Sequence, residues 1–220
     1  FEMIVEADFK DPNIEIAHLF QGGLGMPDRD YYLKEEEATR GLRQEYEAHA
    51  GRMLALLGEK PEDAARHARQ MLDFEKGLAE VSWPRDEARQ MEKLYHKLDL
   101  GGLRELAPQL PWDAFLAAAG GPAIKDINVA IPDFTKGMAA LSSRTDPETL
   151  RTYLRLHLAD GTANLLSKAF VDERFAIESK FTGQKEIKPR WKRCVDATDE
   201  AMGEMLGRYF IERRFAGDSK

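Results

Sequence analysis

Phe1, Met3 and Val5 alternate with more polar neighbours, and beyond a turn at Asp11-Pro12 the same two-residue period returns at Ile14 and Ile16. Alternation of this kind sorts side chains onto the two faces of an extended ribbon, so residues 1–23 are predicted to form a β-hairpin. From about Glu35 the period lengthens: Leu42, Tyr46, His49, Met53 and Leu57 recur at spacings of three and four. That is one face of a helix. Glu35, Glu36 and Glu37 suit its positively polarised first turn, and Gly58 ends it. Pro61 fits the first position of a second helix, whose apolar stripe of Ala65, Ala68, Leu72 and Ala79 stops before Trp83-Pro84.

Residues 86–120 read as two or three short helices, broken at Gly101-Gly102, Pro108 and Pro111. "IKDINVAIP" carries the only clear strand character after the hairpin, and Pro132 closes it. Asp146-Pro147-Glu148 marks a helix start, with a side-chain oxygen to cap free amides and a proline whose fixed φ suits the next position. The helix carries Leu150, Tyr153, Leu154, Leu158, Leu165, Leu166, Ala169 and Phe170, and is predicted to run to about residue 175. A last helix begins near Pro189, with Trp191, Val195, Met202, Leu206 and Tyr209 on one side. The predicted fold class is therefore mainly α: a multi-helix lobe over residues 1–220 with a small N-terminal β-hairpin. No internal repeat or low-complexity linker divides it.

Composition narrows the function. The 220 residues are 43% hydrophobic and 32% charged, which suits a folded domain with a substantial core. Thirty-nine acids against 32 bases leave a net charge of −7, the wrong sign for non-specific nucleic-acid binding. The cations of "KEIKPRWKR" are followed by Asp196, Asp199 and Glu200, the pattern of a solvated helix start. No apolar run approaches the roughly 18 residues that span a membrane as a helix. Phe1 opens the chain without a methionine or signal peptide, and "RRFAGDSK" closes it directly after a patterned helix. Both ends read as those of a piece of a longer polypeptide.

The densest chemical signal is "QGGLGMPDRDYYL", residues 21–33. As a phosphate cradle it fails. Gly25 is followed by Met26-Pro27 where a P-loop needs Gly-Lys-Ser/Thr, and Asp28 stands where a dinucleotide fingerprint needs its third glycine. Pro27 also lacks the N–H that such a cradle would use. The glycines instead suit left-handed or tightly packed backbone, with Asp28 and Asp30 accepting loop amides or pairing with Arg29, and Tyr31 and Tyr32 packing on the helices.

The five histidines, His18, His49, His67, His96 and His157, include no pair four apart, so none forms the two-histidine turn of a zinc hydrolase. His157-x-x-Asp160 has usable spacing but no third ligand nearby. There is no Gly-x-Ser-x-Gly elbow. Cys194, the single cysteine, follows Arg190, Lys192 and Arg193. Those cations would favour its thiolate, yet its place beside Trp191 and Val195 predicts a partly buried apolar residue over a nucleophile. The residues alone nominate no catalytic or metal-binding group and leave any substrate-binding residue unknown.

In order along the chain, "QGGLGMPDRDYYL", "INVAIPDF", "LRTYLRLHLADGTANLLSKAFVDERF" and "GQKEIKPRWKRCVDATDEAMGEMLGRYFIERRFAGDSK" resemble segments of the neprilysin and endothelin-converting-enzyme family of zinc metalloendopeptidases, in its bacterial form. The resemblance implies two mainly helical lobes around a closed chamber. The zinc lobe of the family carries His-Glu-x-x-His, a downstream glutamate ligand and an Asn-Ala-Tyr/Phe substrate strand. None of these motifs occurs here, so no catalytic or metal residue carries over. The chain resembles the smaller covering lobe, which limits entry to oligopeptides.

The missing zinc domain is expected after residue 220, as the partner of this lobe and the holder of the zinc. An extracytoplasmic setting follows by analogy. Animal relatives pair the cysteine of "RWKRCV" in a disulfide, and no partner for Cys194 exists in this chain. Under this reading the glycine loop is an architectural crossing, and Gly25→Val is expected to destabilise the lobe through a disallowed φ or overpacking. The alternatives are a stand-alone helical interaction scaffold derived from that lobe, and a thiol enzyme built on Cys194.

Overall fold

The computed structural model describes residues 1–120 and 124–215. The chain opens with strands β1 (Glu2–Asp8) and β2 (Asp11–Phe20), paired antiparallel as the alternation requires. The hairpin is the edge of a larger sheet. Strand β4 (Asp126–Val129) runs parallel to β2, with Ala17 opposite Ile127 and Leu19 opposite Val129, and β3 (Lys97–Asp99) closes the far side, giving the order β1-β2-β4-β3. Three residues of β3 are too few for a period to register, and the surrounding prolines and glycines disguise them as part of a helical region.

The glycine loop leads through a single turn, α1 (Asp30–Leu33), into an antiparallel pair of long helices, α2 (Glu37–Leu56) and α3 (Pro61–Val81), at the predicted positions. Two short helices follow β3: α4 (Leu100–Leu106) and α5 (Trp112–Ala118). Strand β4 ends at Val129, short of the predicted close at Pro132, and Pro132 instead begins α6 (Pro132–Arg144), a helix absent from the predicted elements. Its apolar residues Phe134, Met138, Ala139 and Leu141 are buried.

Asp146 caps α7 (Pro147–Gly161) as expected, its carboxylate accepting the Glu148 and Thr149 amides at 3.0 Å. The single helix predicted to residue 175 is two helices. After Gly161 a 3₁₀ turn (Ala163–Leu165) redirects the chain before α8 (Lys168–Thr182) begins. Within the stripe assigned to one helix, Leu154, Leu158, Leu165 and Leu166 are exposed, and the buried face of α7 is carried instead by Thr149, Thr152, Leu156 and Ala159. Helix α9 (Arg190–Arg214) completes the described structure, and the closing residues 216–220 of the last family-like segment lie outside it.

Three apolar clusters hold the body together. Ala17, Leu19, Ile127 and Val129 on one sheet face pack on Leu103, Ala107 and Trp112. Phe74, Leu78, Phe134 and Met138 join α3 to α6. The largest cluster, including Met26, Tyr32, Tyr46, Met53, Met71 and Leu156, lies between the glycine loop and α2, α3, α7 and α8. No residue of α9 is buried.

Candidate functional site

The glycine loop is fixed on both sides by side chains from the helices. At its start, Gln21 uses both ends of its amide on one residue: the Trp83 N–H donates to Oε1 at 2.8 Å, and Nε2 donates to the Trp83 carbonyl at 3.2 Å. Gly23 has φ of +93°, where only glycine is unstrained, and its carbonyl accepts the Tyr153 hydroxyl of α7 at 2.8 Å. Gly25 has no positive φ; space is its constraint, because a Cβ there would stand 2.5 Å from Tyr46 Cζ and closer still to the hydroxyl. Of the two reasons foreseen for glycine at 25, overpacking is the one that holds.

Below the loop lies a buried carboxylate. Glu75 sits on α3 with no exposure at all. Its Oε2 accepts the Tyr32 hydroxyl at 2.6 Å, its Oε1 accepts the Tyr46 hydroxyl at 3.1 Å, and His157 Nε2 lies 2.6 Å from Oε1. The Tyr32 oxygen in turn accepts the Met26 amide at 2.9 Å, so the loop backbone is wired through a tyrosine to the carboxylate. Burial, followed by the nearby Glu75 charge, holds Tyr32 and Tyr46 well above ordinary phenols, and the same two causes raise Tyr153. All three phenols stay neutral donors. The cluster positions the loop.

A second polar cluster joins α2 to α7 and α8. His49 is buried, with Nε2 at 3.0 Å from Asp160 Oδ1 and Nδ1 at 2.9 Å from Glu173 Oε1. Arg174 reaches the other Asp160 oxygen at 2.5 Å, and Arg52 the other Glu173 oxygen at 2.9 Å. Every carboxylate oxygen here has a cationic or imidazole partner, the arrangement a buried ion network needs to offset desolvation.

The spacing noticed in His157-x-x-Asp160 therefore does not act as a unit, since His157 turns to Glu75 and Asp160 to His49. His67 pairs with Glu59 at 2.8 Å, and the Asn128 amide donates to His18 Nδ1 at 3.1 Å. The His96 N–H donates to the Asn128 side chain. Asp28 accepts the Asp30 amide, Asp30 pairs with Lys34, and Arg29 donates to the Ser82 carbonyl instead of pairing with either. Tyr32 and Tyr31 pack as expected, Tyr31 edge-on to Phe181 with centroids 5.5 Å apart. Cys194 is exposed on α9, contrary to the partial burial predicted from its apolar neighbours, because Trp191 and Val195 are themselves exposed.

Sequence reasoning overlooked Glu75, though a signal existed. Residues 64, 68, 71, 75 and 78 share one helical face, and four of them are Ala, Ala, Met and Leu. A lone glutamate in that phase is a buried carboxylate awaiting donors.

The sequence pattern of Peptidase family M13, in its N-terminal part, matches residues 1–220. The chain belongs to Peptidase family M13. Endothelin-converting enzyme 1 of Rattus norvegicus is 35% identical over 229 aligned residues, which cover 100% of this chain and 30% of that protein. The Homo sapiens enzyme is 34% identical, with 100% and 29% covered. Zinc metalloprotease Zmp1 of Mycobacterium tuberculosis in its open state superposes with a TM-score of 0.92 at 27% identity, covering 99% of this chain and 34% of that one. PepO of Lactobacillus rhamnosis HN001 shares the fold, with a TM-score of 0.79 at 17% identity over 99% of this chain and 34% of its own.

This M13 chain thus spans about 30% of the length of the curated relatives it matches. The mainly helical, neprilysin-like reading of the sequence agrees with these matches. Zinc, which the family implies, finds no fitting ligand set among the described residues: no three His, Cys, Asp or Glu side chains are grouped to hold an ion. His49 with Asp160 and Glu173 comes nearest in composition, but both ring nitrogens already face carboxylate oxygens.

Proposed function

We propose that this chain is the covering lobe of a neprilysin-like zinc endopeptidase acting on oligopeptides, and that alone it neither holds zinc nor cleaves peptide. The catalytic zinc domain is assigned to sequence beyond residue 220, and the lobe's role is to limit access to it. An extracytoplasmic setting belongs to the same reading by family analogy; among the described residues no helix is long and apolar enough to cross a membrane.

The observation that carries the proposal is the apolar surface on α7, the 3₁₀ turn and α9. Leu154, Leu158 and Leu165 are 64%, 68% and 77% exposed, and Trp191, Met205, Tyr209 and Phe210 on α9 are 58–65% exposed. Single exposed apolar residues are ordinary, whereas this many along two helices mark a surface that another body covers. In a chain spanning under a third of its relatives, the remainder of the same polypeptide is the natural covering body.

The test compares residues 1–220 with the full-length protein for zinc by elemental analysis and for hydrolysis of a fluorogenic oligopeptide. The lobe alone should show neither, and the full-length protein both. Stoichiometric zinc or turnover in the isolated chain would overturn the reading. The same apolar surface also suits a stand-alone interaction scaffold. A reading frame that continues into His-Glu-x-x-His favours the peptidase, and a stop codon after Lys220 favours the scaffold.

A further inference from the structure

Strand β1 is an open edge of the sheet: it pairs with β2 on one side and, among the described residues, with no strand on the other. The Leu19 carbonyl accepts the Ala130 N–H at 2.9 Å, so the main-chain groups of Leu19 point toward β4 and away from β1. Its antiparallel partner is Met3, and main-chain groups along such a pair alternate between the two sides. The N–H and C=O of Met3, Val5 and Ala7 therefore face outward, while Glu2, Ile4 and Glu6 hold the bonds to β2. Sheet edges are ordinarily blunted by brevity, proline or lysine. Strand β1 runs for seven residues with neither proline nor lysine, and its one irregularity is a register shift between Ala7 and Asp8. At its middle, Ile4 and Val5 are 44% and 63% exposed.

We propose that this edge takes an extended, cationic segment of another polypeptide as a fifth strand, antiparallel to β1. Main-chain bonds supply the affinity and cross-strand side chains the preference. Charge selects the partner. The hairpin holds Glu2, Glu6, Asp8, Asp11 and Glu15 against Lys10 alone. Asp8 is tied to Lys97, and Lys10 lies over the Tyr95 ring, whereas Glu6, Asp11 and Glu15 form no ion pair among the described residues. Arginines approach only at the Glu2 end, where Arg29, Arg85 and Arg89 line a cavity with it. A second copy of β1 fits badly. With Ile4 opposite Ile4, Glu2 stands opposite Glu6, and with Val5 opposite Val5, Glu2 stands opposite Asp8, like charge on like in both registers. A segment of three apolar residues between lysines or arginines instead sets a cation against Glu6 and apolar side chains against Met3, Ile4 and Val5. This surface depends neither on zinc nor on the covering role of the lobe.

The test uses the full-length protein with a zinc chelator present, so that peptide probes persist. Labelled acetyl-Lys-Val-Ile-Val-Lys-amide is titrated by fluorescence anisotropy, beside a version with glutamates for lysines and one N-methylated at alternate residues. Hydrogen–deuterium exchange resolved to single residues follows β1. The lysine peptide should saturate and should protect the Met3, Val5 and Ala7 amides, leaving those of Ile4 and Glu6, already bonded to β2, unchanged. The other two peptides should bind more weakly. Val5→Pro removes an outward N–H and no bond to β2, a place where an edge strand tolerates proline, and binding should be lost. Glu6→Lys changes an exposed side chain and should turn a fewfold preference for the lysine peptide into one for the glutamate peptide. Equal binding in Val5→Pro, equal affinity for the lysine and glutamate peptides, or no protection of Met3, Val5 and Ala7 would each overturn the proposal. So would a dimer in sedimentation that Val5→Pro abolishes, since the edge would then belong to a second copy.

Discussion

Replacing Gly25 by alanine adds one methyl group at the point where the loop crosses α2. That Cβ would stand 2.5 Å from Tyr46 Cζ and nearer still to the hydroxyl, well inside contact distance. Because Gly25 has no positive φ, backbone strain adds nothing, and the cost is that of moving the ring. Tyr46 is 2% exposed and surrounded by the largest apolar cluster, so it has nowhere to move without disturbing neighbours. Overpacking of this kind costs about 1–3 kcal/mol. A displaced ring also loses its hydrogen bond to the buried Glu75 carboxylate, about 1.5–3 kcal/mol for a charged acceptor.

Together the two effects give about 2.5–6 kcal/mol for Gly25→Ala and at least as much for Gly25→Val. In a chain of this size that lowers the melting temperature by roughly 5–24 °C. Thermal melts and urea titrations of Gly25→Ala, Tyr46→Phe and the double variant measure it. Tyr46→Phe removes the nearest atom, so the double variant should be more stable than the two single losses predict. A Gly25→Ala protein that melts with the parent, or losses additive within about 0.5 kcal/mol, would refute the crossing as drawn.

Three further outcomes follow from the polar groups. Glu75→Ala leaves the hydroxyls of Tyr32 and Tyr46 buried without an acceptor and should cost about 3–5 kcal/mol in urea unfolding, whereas an exposed acid such as Glu92 should cost under about 0.5 kcal/mol. Asp8 accepts the Lys10 amide at 2.8 Å and pairs with Lys97 and Tyr95; these contacts hold its carboxyl at about 2, below the usual 3.8.

Its stabilisation is therefore complete above the unfolded value and fades as pH falls from about 4 toward 2, so the urea midpoint of Asp8→Asn should fall less across that window than the parent's. Tyr32, Tyr46 and Tyr153 are raised, so unfolded chains release these protons first once pH passes about 10. Stability should drop above that pH, and Tyr153→Phe should make the drop shallower in ultraviolet difference spectra.

The helices were legible where period and caps agreed. Glu35–Gly58, Pro61–Trp83 and the Asp146 cap all announce themselves within one or two turns of sequence. The misreadings have separate physical causes. The 3₁₀ turn at Ala163–Leu165 breaks α7 from α8 without a proline, so the apolar residues on either side read as one stripe. Helix α6 was hidden behind Pro132, which reads as the close of a strand and is the first residue of a helix. The sheet joins β2 to β4 across more than a hundred residues, a pairing that no local window contains.

At the candidate site, the glycines and tyrosines of the loop pointed to an architectural role, and the contacts to Tyr46, Tyr153 and Glu75 agree with it. The apolar phase of Glu75 is visible in the sequence, but its partners Tyr32, Tyr46 and His157 meet it only when α1, α2, α3 and α7 are brought together. The surface of α9 was misread in the opposite direction. Its apolar side predicted burial, and Cys194 with it, yet within this chain that side faces outward.

That outward face gives the account its most direct test. Hydrogen–deuterium exchange on residues 1–220 and on the full-length protein compares the same amides in both. The account predicts that α9 and the Leu154–Leu166 segment exchange quickly in the isolated chain and become strongly protected in the full-length protein, while α2 and α3 stay slow in each. Equal exchange of α9 in the two proteins would contradict a lobe built to close over the rest of its own chain.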